Sequence, residues 1–241
     1  MRLGNKLNAV LVERMRLLTD GMSMKRGSLN VWKSVQSVMP RSSHAFFENG
    51  VTMRDPDSVY LCHDTRFGRD VTLEPHVVFG PGVTVADSVV IHAFSHLEGA
   101  TLAEGVQIGP YARLRPGTEL GADVHVGNFV EIKNSQFGAH SKANHLAYIG
   151  DATVGSRVNI GAGTITCNYD GANKHRTIIE NDVHIGSNCV LIAPVTLGAG
   201  GTVGGGSTIS KNTEPGALSV ARGKQVSIAN WKRPQKTPKA K

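Results

Sequence analysis

Three kinds of side chain in this sequence could do chemistry. His140 and His145 lie five residues apart, with His125 fifteen residues before His140, a spacing compatible with zinc held between successive turns of a repeating fold. An imidazole is also the usual general base near neutral pH. The chain has ten histidines, however, so on spacing alone each of these three reads equally well as a surface residue. Cys167 could attack an acyl group, but spacing pairs no base with it, and a cysteine often acts as a small apolar residue. Arg115 and Lys133 are cations suited to a phosphate, or else ordinary solvated side chains.

What must position these groups is a repeat of six. Aliphatic residues fall at Val71, Val77, Val83 and Val89, then at Leu102, Ile108, Leu114, Leu120, Val126 and Ile132, and again at Ile179, Ile185, Leu191, Leu197, Val203 and Ile209. A small residue usually follows, as in Ile108-Gly109 and Val126-Gly127. A helix would need recurrence at three and four residues and would tolerate this much glycine badly. A hexad of short strand plus tight turn buries nothing alone, but stacked hexads share one core and pair every rung with the next. The pattern therefore predicts a parallel β-helix with three hexads per coil. About nine coils at roughly 4.8 Å would make a prism some 40 Å long. One aliphatic side chain per hexad is expected inside, with glycines at corners of positive φ or close approach.

The phase slips by one residue between Val89 and Leu102, shortens between Ile132 and Phe137, and lapses between Ile160 and Ile178. The last gap contains Thr-Cys-Asn-Tyr-Asp-Gly-Ala-Asn, turn chemistry that predicts a loop leaving the prism. Inward Leu114 and Ile132 send Arg115 and Lys133 outward by strand alternation, and the same rule turns out Tyr148 and Asn159 beside Ile149 and Ile160.

Composition narrows the class further. The 241 residues include 28 glycines, 10 prolines and only 5% aromatics, which disfavours long helices. Three cysteines, Cys62, Cys167 and Cys189, without a C-x-x-C pair indicate neither a disulfide framework nor a thiolate metal site. With no long apolar run, the expectation is a soluble protein of the reducing cytoplasm. The net charge of +7 is uneven: residues 1–45 carry +6, residues 232–241 carry +5, and the body between carries −4. Solvated tails explain this better than a nucleic-acid surface, which would place its charge on the folded body. The acid-poor start at residues 1–18 also has the pattern of an organelle-targeting segment, weakened by Glu13 and Asp20.

Longer strings carry a more specific resemblance. Gly109-Pro-Tyr-Ala-Arg-Leu-Arg-Pro-Gly117, His125-Val-Gly-Asn-Phe-Val-Glu-Ile-Lys133 and Asn159-Ile-Gly-Ala-Gly-Thr-Ile-Thr-Cys-Asn-Tyr-Asp-Gly-Ala-Asn-Lys174 closely resemble the C-terminal acetyltransferase domain of the bacterial bifunctional N-acetylglucosamine-1-phosphate uridyltransferase/glucosamine-1-phosphate acetyltransferases. These belong to the hexapeptide-repeat transferase superfamily. The resemblance runs from about Val51 to Trp231 and implies an all-β, left-handed parallel β-helix, an exception to the right-handed crossover rule. It divides the chain into an extension at 1–50, helical or disordered and of unknown role, a β-helix acetyltransferase domain at 51–213, and a C-terminal segment with a basic tail at 214–241. The family's nucleotidyltransferase half, with its Gly-rich loop and magnesium, finds no counterpart here.

The implied reaction is acetyl transfer from acetyl-CoA to the amine of glucosamine-1-phosphate, serving UDP-N-acetylglucosamine, peptidoglycan and lipopolysaccharide precursor synthesis. His145 matches the general base, and Arg115, Lys133, Tyr148 and Asn159 match the sugar-phosphate contacts. Ala162, Asn168, Tyr169, Ser187, Gly205 and Arg222 match acetyl-CoA contacts; Gly205 stands where the family has alanine, a change that a backbone contact would survive. Lys174 falls near the active site by the same match, and Glu131 faces outward where it would orient His145 or Lys133. The family works as a homotrimer with sites between subunits, Arg222 coming from a neighbouring chain, and implies neither nucleic acid, membrane nor metal. The competing readings are another hexapeptide-repeat acyltransferase, a zinc carbonic-anhydrase-like β-helix using the three histidines, and a non-catalytic solenoid that binds through its basic ends.

Overall fold

The computed structural model describes residues 50–233, so the expectations for the N-terminal extension and for most of the basic tail lie outside the described residues. Twenty-six strands of two to four residues run from Thr52–Met53 to Leu218–Ser219, and the only helical element among the described residues is a turn at Pro56–Ser58. None of these residues forms a helix long and apolar enough to cross a membrane.

The strands stack into three parallel sheets, of ten, eight and eight strands, and from Thr72–Leu73 to Thr208–Ile209 the chain visits them in strict rotation. In chain order, one coil runs His125–Asn128 on the first face, Glu131–Lys133 on the second and Gln136–Phe137 on the third. The register gives the coil length directly. Thr72 lies opposite Val90, eighteen residues on, while His125 lies opposite Lys142, seventeen on. This is the three-sided parallel β-helix that the hexads predicted. All sixteen aliphatic residues of the three series are buried.

The interior corrects one expectation. Two side chains per hexad point inward, because residues two apart in an extended strand share a face. Val71 and Leu73, Val89 and Ile91, and Val130 and Ile132 are such pairs, all at most 1% exposed. The slip between Val89 and Leu102 has the same origin. Val71 to Val89 occupy the corner position and Leu102 onward the strand position, and a five-residue rung separates Leu97 from Leu102. Five-residue rungs recur at Ile132 to Phe137 and at Ile149 to Val154, the second of which the apolar pattern did not reveal. At the Ile132 rung the buried Ser135 hydroxyl fills the ladder, donating to the Lys133 carbonyl at 2.9 Å and accepting from Ala152 N–H at 2.9 Å.

The lapse after Ile160 is a change of core chemistry. Thr164 and Thr166 occupy the two inward positions there, while Ile165 faces out. Asn159 then lies opposite His184, twenty-five residues on, and the extra residues form the loop expected to leave the prism. Glycine is not the sole occupant of the positive-φ corners. Phe129, Asn134, Leu146 and Asp151 take φ of 56°, 46°, 50° and 50°, and Asn134 and Leu146 directly follow Lys133 and His145.

Candidate active site

The second face carries polar groups at both of its edges. At the edge it shares with the first face, His145 ends the strand Lys142–His145, directly opposite Asn128 one coil earlier. Its Nδ1 stands 2.9 Å from Asn128 Oδ1. With an amide oxygen as partner, Nδ1 is the donor and Nε2 keeps its lone pair, the tautomer a general base requires. The coils meet closely here: a Cβ at Gly127 would collide with the Asn144 carbonyl, so only glycine lets the two strands register.

The same edge forms a column. Leu146 N–H donates to Asn128 O at 3.0 Å, Gly163 N–H to His145 O at 3.4 Å, Asn188 N–H to Ala162 O at 2.7 Å, and Gly206 N–H to Ser187 O at 2.8 Å. Asn128, His145, Ala162, Ser187 and Gly205 therefore stack one coil apart, placing the expected base and three expected acetyl-CoA contacts on a single line. Arg222 joins its end, donating to the Gly205 carbonyl at 2.8 Å. Added Cβ at Gly205 would find only ordinary contact, 3.4 Å from Ser187 O, so the glycine is not forced by space. On the other side of His145 the edge becomes apolar. His76, Phe94, Tyr111 and Phe129 stack at centroid spacings of 4.8, 4.9 and 5.2 Å, and Leu146, 61% exposed, stands at the next corner along.

The opposite edge of the second face is a charge cluster. Arg115 Nη1 donates to Glu131 Oε1 at 2.8 Å, and Arg113 reaches the other oxygen at 3.6 Å. Glu131 thus orients the arginines, which corrects the expectation that it would serve His145 or Lys133. Lys133 instead lies 3.3 Å from both oxygens of Asp151. Its pKa is raised, first by its hydrogen bond to the Lys174 amine and then by Asp151 against the opposing effect of burial; the same Lys133 ammonium pushes Lys174 down. Between the edges, the Tyr148 side chain lies over Gly150, where any Cβ would strike its hydroxyl. Asn159 sits exposed on the first face, opposite Lys142 and His184.

The loop following the strand Ile165–Cys167 folds back toward these cations. Asp170 accepts from Ala172 and Asn173 N–H at 2.8 and 2.6 Å and meets His175 Nε2 at 2.6 Å. These contacts hold its carboxyl well below the usual range. Tyr169 is exposed, its hydroxyl donating to Gly171 O at 2.6 Å, whereas Asn168 is buried with its amide turned onto Asp151.

Other candidates fare differently. His140 pairs with Asp123 at 3.4 Å and His145 with Asn128, so the chain does not gather His125, His140 and His145 into one metal site. Among the described residues the trio that does converge is Cys62, His63 and Asp64, adjacent in sequence and mostly exposed. Cys167 is exposed on the outer surface, so it is not the small apolar filler that its type suggested; Cys189 is the buried one. Sequence reasoning missed Asn128, Asn134 and Asp151. Asn128 lies seventeen positions from His145 and Asp151 eighteen from Lys133, about one coil in each case, and Asn134 lies seventeen from Asp151, so the register is the signal that finds them.

Comparison with known proteins agrees with this architecture. The model of the bacterial transferase hexapeptide, six repeats, matches residues 99–134 and 176–211. The bifunctional protein GlmU of a Polaromonas species is 58% identical over 220 residues, covering 83% of this chain and 46% of that protein. That of Ralstonia pickettii is 54% identical over 209 residues, covering 80% and 46%. The chain thus spans about half the length of the curated relatives it matches, their C-terminal half. Among solved structures, the UDP-N-acetylglucosamine acyltransferase of Francisella novicida superposes with a TM-score of 0.62 at 13% identity, covering 70% of this chain and 67% of that one. LpxA of Acinetobacter baumannii gives 0.52 at 14%, covering 70% and 71%. At these identities the likeness is one of fold.

Proposed function

We infer that this chain, a member of the bacterial hexapeptide-repeat transferases, is an acetyl-CoA-dependent glucosamine-1-phosphate N-acetyltransferase. The observation that carries the reading is the two-ended second face, an imidazole with a free Nε2 at one edge and a clamped group of cations at the other. The three-residue strands of that face span roughly 10 Å, a distance that a hexose phosphate bridges with a reaching side chain at each end. The phosphate is held by Arg115, Lys133 and Lys174, with the Glu131 and Asp151 carboxylates steadying the first two. Tyr148 and Asn159 contact the sugar.

The amine then lies at His145. An amine attacks a thioester only when neutral, so Nε2 takes its proton as the N–C bond forms; collapse of the tetrahedral centre expels the coenzyme A thiolate. His145 ends as an imidazolium steadied by Asn128. The acetyl donor lies along the column, against Ala162, Ser187 and Gly205, with Tyr169, Asn168 and Arg222 at its margins. Backbone groups of a solenoid edge suit the anionic phosphates of coenzyme A. No metal is needed in this scheme.

The apolar ladder beside His145 supports assembly with further copies, a homotrimer in our reading, with the site at the seam and Arg222 supplied to it by a neighbouring copy. The product, N-acetylglucosamine-1-phosphate, would enter UDP-N-acetylglucosamine synthesis in the cytoplasm. A thiol-release assay with acetyl-CoA tests the assignment. Glucosamine-1-phosphate should support release and unphosphorylated glucosamine should not; equal rates with both would refute the phosphate clamp.

A further inference from the structure

Asp151 is 5% exposed and is approached from several sides. Its carboxylate receives Asn134 Nδ2 at 2.6 Å, Lys133 Nζ at 3.3 Å and the amide of Asn168. Its own carbonyl accepts from Thr177 N–H at 3.2 Å, and Asn168 O accepts from His175 N–H at 2.8 Å. One residue therefore grips both ends of the 168–177 loop as well as the phosphate-facing lysine.

The turn itself does not ask for a carboxylate. Asp151 belongs to a corner column, Gly82, Gly99, Gly117, Asn134 and Asp151, in which each of these five has positive φ, at 74°, 52°, 81°, 46° and 50°. Glycine suffices in the earlier coils and asparagine in the next. A buried carboxylate costs free energy unless it is paired and hydrogen-bonded, and among the described residues one occurs only where Lys133 and the loop meet. Burial alone would raise its pKa, yet the bonds from Asn134, Asn168 and Lys133 hold it down.

We propose that Asp151 is a positioning residue that aligns Lys133 for the substrate phosphate and staples the 168–177 loop over the same site. This rests on the reading of Lys133 as a phosphate contact. It couples acceptor and donor halves of the site, since the stapled loop also carries Tyr169 and Lys174.

The test is Asp151→Asn in the full chain, a change that keeps side-chain size and suits positive φ. Calorimetric titration with glucosamine-1-phosphate should show Kd raised roughly 10- to 100-fold, the worth of a hydrogen bond to a charged group. The KM for the sugar phosphate should rise more than kcat falls, a split that a merely destabilised fold would not give. Loop amides 170–175 should exchange with deuterium about tenfold faster, since the loop opens locally. Wild-type Kd together with wild-type exchange would overturn the proposal even if the melting temperature fell. Wild-type protein that binds no glucosamine-1-phosphate would sink the functional reading, while the exchange arm still decides the staple. Should Asp151→Asn not fold, Asn168→Ala read by exchange alone takes its place: faster loop exchange supports the staple and unchanged exchange removes it.

Discussion

The coils around residues 71–97 and those around residues 113–151 are built alike inside and differ outside. Val89 with Ile91 in one, and Val130 with Ile132 in the other, fill equivalent interior positions at 1% exposure or less. On the outer surface the early coils present Thr72, Thr84 and Val90, which stabilise strands and do no chemistry. The later coils present Arg113, Glu131, Lys133 and Tyr148 in the same pleat. The interior pattern thus fixes where an outward side chain will be, and the outward residue is free to vary without cost to the core. Function in this fold is written on the alternate positions.

That comparison can be broken at its strongest point first. His145→Ala should lower turnover by about 10²- to 10⁴-fold, the usual worth of a positioned proton transfer, with the fold unchanged by circular dichroism. Retained turnover would return His145 to the surface histidines. Next, Ile91→Ala and Ile132→Ala should each cost about 2–5 kcal/mol in denaturant unfolding, because both empty the same kind of interior site. Only Ile132→Ala should also raise the KM for glucosamine-1-phosphate, since it lies between Glu131 and Lys133; equal KM effects would erase the difference between the coils.

Arg115→Ala should chiefly raise the KM for glucosamine-1-phosphate, by about tenfold, and leave that for acetyl-CoA nearly unchanged. The reverse pattern would mean that the two edges of the second face have been exchanged. The smallest effect concerns pH. Asp151 has a folded pKa held below its unfolded value, so its ionic contribution is complete above about pH 3.9 and disappears as pH falls through the depressed folded value. The stability margin of wild type over Asp151→Asn should therefore be constant from pH 5 to 7 and close in acid; a margin independent of pH would assign Asp151 no ionic role.

The architecture was legible in the sequence because a buried position repeated every six residues leaves a mark on composition. Corner valines and strand leucines are both aliphatic, however, and only the coordinates separate their phases. The site was legible in part. His145, Arg115 and Lys133 are marked by residue type and by the strings around them, whereas Asn128 and Asp151 are ordinary polar residues whose importance comes from the neighbour one coil away. Glu131 shows the limit of alternation: facing outward was right, but the choice of partner depended on Arg113 and Arg115 reaching it first.

The central claim is that one face holds an amino-sugar phosphate by its phosphate and deprotonates it at the other edge. The most direct measurement is the rate of coenzyme A thiol release from acetyl-CoA by the wild-type chain and by Arg115→Ala, with glucosamine-1-phosphate and with glucosamine compared in each. The account predicts a marked preference for the phosphorylated sugar that shrinks in the variant. Release indifferent to the phosphate, or a preference that Arg115→Ala leaves intact, would contradict it.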